Sequence, residues 1–193
     1  MNYLSALNFG TDLLKKTKIK SHSLDAELLL AYASKFSREK LLINLNKKIK
    51  EKILYNYKLN LKRRKKNEPI AYILKKKEFW RYNFYVNKNV LIPRPETEII
   101  VEAVLKYINT NSSKNLLEIG TGSGCIIISI IKERPNSKAI AIDISKKALK
   151  VARYNAKMHH LMNKIKLINI DIDKFNYNKY DFIISNPPYI KKF

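Results

Sequence analysis

A parallel α/β sheet with crossover helices, preceded by a small helical domain, is the fold class this sequence predicts. Three observations carry it. From residue 115 onward, apolar β-prone runs alternate with helical stretches, the mark of successive βαβ units. Three of the four glycines, Gly120, Gly122 and Gly124, crowd one strand-to-helix junction. Residues 11–68 hold neither Gly nor Pro, which fits an uninterrupted helical bundle.

Composition sets the bounds. A chain of 193 residues with 46% hydrophobic content can bury a core in one medium domain, or in a small and a larger one. The longest apolar run, Cys125 to Ile131, is too short to span a bilayer. No basic segment followed by an apolar one opens the chain, so no secretory signal is expected. A single cysteine, Cys125, excludes an intramolecular disulfide framework and a cysteine-based zinc cluster. The expected location is the cytoplasm, with no membrane partner.

The formal charge is +23, from 39 basic and 16 acidic residues, and only seven of the basic ones are Arg. Such a charge attracts polyanions at low salt, so weak affinity for nucleic acid or the ribosome is expected. A Lys-rich profile with much Asn, Ile and Tyr equally fits compositional bias. The cluster Lys62-Arg63-Arg64-Lys65-Lys66 reads as a solvated helix end rather than an RNA site.

Taken in order, residues 2–66 read as helices. Leu4, Leu7, Leu13 and Leu14 suggest the buried stripe of the first. Ser23 is a candidate N-cap for a segment burying Ala26, Leu29, Leu30 and Ala33, with Asp25 and Glu27 in its first turn. The aromatic block Phe79 to Val86, the turn Asn87-Lys88-Asn89 and the run Val90-Leu91-Ile92 predict a β-hairpin whose aromatics serve packing. Pro93 to Glu98 opens a helix, with Pro95 at its first position and Ile99, Ile100, Ala103 and Val104 as the buried face. Strands are expected near 115–119, 138–142, 165–170 and 180–185, and helices near 123–133 and 145–158, the latter capped by Ser145. His22, His159 and His160 form no metal-ligand set and read as surface residues.

Candidate site residues gather at the strand ends. The loop Gly120-Thr121-Gly122-Ser123-Gly124 allows close backbone approach to a cofactor. Asp143, about twenty residues on, ends the next strand, where a carboxylate can accept both ribose hydroxyls. Asp171 ends the third strand and is placed to meet an adenine edge. Asn186-Pro187-Pro188-Tyr189 follows the apolar run Asp181 to Ser185. Two prolines stop the strand and brace a turn, because each lacks an N–H and fixes φ. That turn suits a planar NH₂ group, an amide or an exocyclic amine. A dinucleotide explains the glycines and Asp143 but leaves the Asn-Pro-Pro-Tyr turn idle. S-adenosylmethionine uses all of them, which favours methyl transfer. On that reading the Asn186 side-chain oxygen and the Pro187 carbonyl accept hydrogen bonds from the substrate nitrogen. Tyr189 sandwiches the planar group and Pro188 shapes the slot. No metal is required.

With these motifs in view the chain resembles the HemK/PrmC family, methyltransferases of the glutamine in the Gly-Gly-Gln motif of peptide chain release factors. The resemblance runs from about Asp25-Ala26-Glu27-Leu28-Leu29-Leu30 to the C-terminus. It takes in Glu68-Pro69-Ile70-Ala71-Tyr72-Ile73, Phe79-Trp80, Leu91 to Glu98, the glycine loop and Asn186 to Tyr189. It implies a helical domain that grips the release factor (1–68), a β-hairpin linker (69–93) and a Rossmann-like class I methyltransferase domain (94–193) using S-adenosylmethionine. Asn67 and Lys75 stand where the family usually has glycines, Glu118 replaces the common Asp, and Ile172 occupies the place of an adenine-stacking aromatic. The family continues well past its Asn-Pro-Pro-Tyr turn. The expectation is therefore an incomplete sheet, with Phe182-Ile183-Ile184 as an exposed apolar edge. Two rival readings follow: an amino-group methyltransferase acting on DNA or RNA bases, and an inactive truncated remnant.

Overall fold

The computed structural model describes residues 1–176 and 179–187. The chain divides into two compact units, 1–74 and 75–193.

The first unit holds α1 (Tyr3–Lys15), α2 (His22–Ser34), α3 (Arg38–Ile43), α4 (Glu51–Lys65) and α5 (Ile70–Leu74). Helix α1 starts where the Asn2 side chain accepts the Ser5 N–H at 2.8 Å. It buries Tyr3, Ala6, Gly10 and Leu14, a stripe spaced 3, 4 and 4 residues apart. Of the expected leucines only Leu14 is buried here; Leu4 is exposed and Leu7 and Leu13 are half-buried. At Gly10 the face has no room for a side chain because Tyr57 of α4 comes so close. A Cβ on Gly10 would lie 1.8 Å from its hydroxyl oxygen. Helix α2 begins before Ser23, which lies inside its first turn, since the Ser21 carbonyl already accepts the Asp25 N–H at 2.8 Å. Asp25 is buried and paired with Arg64 of α4, Nε to Oδ2 2.6 Å. Arg63 grips Glu68 through two bonds of 2.8 and 2.6 Å. The two arginines of the basic cluster are thus internal ties of the bundle. Asn67 closes α4 with a left-handed φ of 61°. Its N–H and that of Glu68 return to the carbonyls of Arg64 and Arg63, the paired bonds of a Schellman ending.

In the second unit, β1 (Lys77–Phe79) and β2 (Tyr82–Phe84) form an antiparallel hairpin. It turns at Trp80-Arg81, inside the aromatic block, with Trp80 at φ 59°. The expected second arm is absent. Asn87–Val90 does form a turn, the Val90 N–H reaching the Asn87 carbonyl at 3.1 Å, but Val90-Leu91-Ile92 is no strand. Pro93, which cannot donate to a ladder, follows directly. The aromatics do pack: Phe79 and Phe84 are buried edge to face, centroids 6.1 Å apart. Glu98 accepts the Trp80 N–H at 2.7 Å, and Glu133 accepts the Trp80 indole and the Tyr82 hydroxyl at 3.0 and 3.1 Å. The stretch 69–93 is therefore shared out: Ile70–Leu74 is a helix of the first unit, and the hairpin joins the core of the second.

That core lies against a four-stranded parallel sheet of β3 (Asn115–Ile119), β4 (Lys138–Asp143), β5 (Ile165–Asn169) and β6 (Phe182–Ser185), in the order β5-β4-β3-β6. Between them run α6 (Glu98–Tyr107), α7 (Cys125–Glu133) and α8 (Lys146–Met158). Leu116, Ala139, Ala141, Ile165 and Ile184 share the face that packs into this core. Helix α6 turns Val101, Val104 and Ile108 inward, spacing 3 and 4, and leaves Ile99 and Ala103 exposed. Of the expected stripe, Val104 is buried and Ile100 packs against the core. Every residue from Cys125 to Ile131 is buried, so the longest apolar run is a core helix. Among the described residues no helix is long and apolar enough to cross a membrane. Ser145 caps α8 as expected, accepting the Ala148 N–H at 3.2 Å. Strand β6 stands at the edge of the described sheet; of the expected apolar edge only Ile183 is exposed, at 59%, while Phe182 is half-buried and Ile184 belongs to the core.

Candidate active site

Strand order creates the site. The chain runs from β3 outward through β4 and β5, then returns to the other side of β3 as β6. The carboxyl ends on either side of β3 form the switch point where open α/β sheets bind ligands. Ile119 pairs with Ile142 on one side and Ser185 on the other, and Asp143 pairs with Asn169. The glycine loop, Asp143 and Asn186 consequently leave the sheet along one edge. The Ser185 hydroxyl ties the two central ends by donating to the Ile119 carbonyl at 3.3 Å.

Gly120, Gly122 and Gly124 all have left-handed φ, at 71°, 57° and 79°, a region open to glycine at little cost. They divide two tasks. A Cβ on Gly120 would meet nothing within 4 Å, and one on Gly122 only a carbonyl at 3.9 Å, so the backbone there is open to a ligand. A Cβ on Gly124 would meet Ile128 at 3.0 Å and Ala152 at 3.4 Å; this glycine seats α7 against α8. Thr121 and Ser123 are buried. The Thr121 hydroxyl donates to Glu118. Burial raises the Glu118 carboxyl to about 8, reinforced by the nearby Asp143 charge against the opposing Thr121 bond. Burial pushes the Cys125 thiol up to about 12.

Asp143 does more than terminate β4. Oδ2 accepts the Gly122 N–H at 2.9 Å and Oδ1 the Ser145 N–H at 2.8 Å, locking the loop to the start of α8. An ionised carboxylate has about four acceptor positions, so each oxygen keeps capacity for one further donor. Asp171 lies two residues past β5 and caps the following 3-10 turn, its Oδ1 accepting the Asp173 N–H at 3.2 Å. Asn186 is half-buried, and its Nδ2 donates to Thr97 Oγ1 at 3.4 Å. Thr97 belongs to the Pro93–Glu98 block, which thereby reaches the site. Pro187 is exposed. Pro188 and Tyr189 lie outside the described residues.

Two supporting asparagines escaped the sequence reading. Asn155 is fully buried on α8. It accepts the Tyr85 N–H at 2.7 Å and donates to the carbonyls of Tyr85 and Ser123 at 3.0 and 2.8 Å. Asn169 donates to the carbonyls of Asp143 and Ile144 at 2.9 and 2.8 Å. A polar residue on the apolar stripe of α8 was the available signal for Asn155. His159, expected on the surface, is half-buried with Nε2 2.9 Å from the Asn83 carbonyl, because the hairpin covers it. A groove of about 600 Å³ lined by Asn115, Lys138 and Ile165 lies at the amino ends of the strands, opposite the site.

The arrangement can hold an adenosine-bearing ligand: open glycine backbone, spare carboxylate acceptors on Asp143, and an amide at the neighbouring strand end. Residues 5–74 match the PrmC N-terminal domain family, and residues 96–192 match the methyltransferase small domain family. The chain is 38% identical over 195 residues to the release factor glutamine methyltransferase of Clostridium acetobutylicum, covering 100% of this chain and 68% of that protein. It is 40% identical over 184 residues to the protein of the same name from Buchnera aphidicola, covering 95% of this chain and 66% of that one. A bifunctional methyltransferase of Rickettsia typhi is 41% identical over 203 residues, 95% of this chain but 39% of that protein. The chain therefore spans about two fifths of the bifunctional enzymes and about two thirds of the single-function ones. With the helical unit matched ahead of the sheet unit, and 38% identity across the whole chain, this protein belongs to the release factor glutamine methyltransferase family.

Proposed function

We propose that this protein transfers a methyl group from S-adenosylmethionine to the side-chain amide nitrogen of the Gly-Gly-Gln glutamine of peptide chain release factors. One observation carries the reading: the parallel register that sets the open glycine loop beside Asn186 at the switch point of the sheet. S-adenosylmethionine supplies an activated methyl on a sulfonium, so the protein's task is chiefly alignment, a term worth up to ~7–11 kcal/mol in well-oriented reactions. Gly120 and Gly122 lie against the cofactor through their backbone, and Asp143 takes the ribose hydroxyls on its spare acceptor positions. Asp171 faces the adenine edge. An amide nitrogen is a poor nucleophile because its lone pair is delocalised. With Nδ2 occupied by Thr97, Asn186 turns Oδ1 toward the substrate amide. Together with the Pro187 carbonyl it accepts the amide hydrogens, orients the nitrogen and disperses its developing charge. Pro188 and Tyr189 complete the slot. The helical unit grips the release factor.

The test is methylation of purified release factor, with RNA as the alternative acceptor, using labelled cofactor. Asn186→Ala should lower turnover by roughly 10²–10³-fold, the effect of removing one well-placed polar group in a transition state, with cofactor affinity nearly unchanged. Asp143→Ala should weaken cofactor binding by about 10- to 100-fold, the worth of hydrogen bonds to a charged group, as read by calorimetry. Full-rate turnover by Asn186→Ala would remove its assigned role, and label entering RNA rather than release factor would remove the substrate.

A further inference from the structure

Apart from the strand-end site, the second unit carries a groove of about 840 Å³ whose lining includes Lys75, Lys88, Lys147, Lys150, Tyr85 and Tyr154 and no acid. We propose that this groove binds single-stranded nucleic acid, the lysines on phosphates and the tyrosine pair against a base. The charge has no internal purpose. Helix α8 carries Lys146, Lys147, Lys150, Arg153 and Lys157 without one acidic residue. Lys146–Lys150 and Arg153–Lys157 lie four apart, Lys147–Lys150 and Lys150–Arg153 three apart, all spacings at which like charges repel along a helix. Among the described residues none of these cations, nor Lys75 or Lys88, takes part in an ion pair. Of these Lys147 and Lys150 line the groove with Lys75 and Lys88, and a polyanion laid there relieves their repulsion and releases its own counterions.

Charge alone would fit an acidic peptide equally well; the aromatic pair decides for nucleic acid. Tyr154 is 55% exposed, and its ring centroid lies 4.8 Å from that of Tyr85. The Tyr85 backbone is anchored by Asn155 at 2.7 and 3.0 Å, and Asn87 Nδ2 reaches its hydroxyl at 3.3 Å. Its ring meets that of Tyr154 at 52°, so it braces one side of the exposed ring and leaves the open face of Tyr154, flanked by lysines, as a stacking platform within an electrostatic funnel. A carboxylate side chain gains nothing from a π face. A duplex, whose bases are already stacked, gains only the charge.

The experiment is fluorescence anisotropy on the whole chain with labelled uridine and thymidine oligomers, across a salt series. Lys147→Gln/Lys150→Gln should weaken binding about 10-fold and reduce the salt slope by about 1.4, since each single-strand phosphate contact contributes roughly 0.7. Lys15→Gln/Lys16→Gln, with the same charge change on exposed lysines of the first unit, should shift affinity less than about 2-fold. Tyr154→Ala should cost at least about 5-fold, the lower end of one base–aromatic stack, and Tyr154→Phe should restore it. Circular dichroism melting checks that each variant is folded. Equal losses from the two lysine pairs, indifference to Tyr154→Ala, or duplex DNA or polyglutamate binding as tightly as the single strand would each overturn the proposal.

Discussion

Glu118 shows what one side chain determines. It sits between Leu117 and Ile119 on a central strand, 1% exposed, accepting a bond from Thr121 below the glycine loop. Burial costs the charged form far more than this bond returns, so the folded-state value rises to about 8 from an ordinary 4.5. The sign follows from proton counting. Between pH 4.5 and about 8 the native chain holds a proton that the unfolded chain has released, so the contribution of this residue to stability is full below pH 4.5 and is lost as pH rises through that window. Glu118→Gln keeps the Thr121 acceptor and removes the titration. Denaturant melts across this range should show wild type losing stability toward alkali while the variant's curve is flatter. Parallel curves would remove the buried-acid account. The same scale explains Asn67 and Lys75. Both residues adopt a left-handed backbone, at φ 61° and 54°, and the cost of a Cβ in that region, on the order of 1 kcal/mol, is borne locally.

At the scale of elements, small residues matter as much as apolar ones. Helix α1 meets α4 through Gly10, the one glycine outside the loop after β3. An alanine there gains about 0.8–1 kcal/mol of helix propensity but drives a methyl into the Tyr57 ring, an overpacking cost of about 1–3 kcal/mol or more. Gly10→Ala should therefore destabilise the helical unit, with a net loss on the order of 1–2 kcal/mol by denaturant melting. Tyr57→Phe in that background should recover part of it, because the hydroxyl is both the nearest atom and buried without a partner. A Gly10→Ala protein as stable as wild type would contradict the packing. The hairpin teaches the same lesson. Its aromatic composition was legible, but its register was not. That register follows from Glu98 and Glu133, which lie far along the chain and anchor Trp80 and Tyr82.

At the largest scale, net charge acts against association at the edge of the described sheet. Strand β6 offers Ile183 at an outer edge of the described sheet, the kind of surface that templates pairing between chains. A charge of +23 keeps copies apart while its field is unscreened, and the screening length falls from about 10 Å at 0.1 M salt to about 3 Å at 1 M. Light scattering should thus show wild type associating as salt and concentration rise together, and Ile183→Lys remaining dispersed. Association of both to the same extent would place the contact elsewhere.

Local signals were enough for the class of fold, the four parallel strands and the glycine junction, because strand alternation and glycine freedom act over a few residues. Tertiary structure decided which stripe of α1 and α6 is buried, that the hairpin joins the sheet unit, and that Asp143, Asn155 and Thr97 brace the site. Those outcomes rest on hydrogen bonds and close approaches between residues tens of positions apart, whose geometry exists only once the chain has packed.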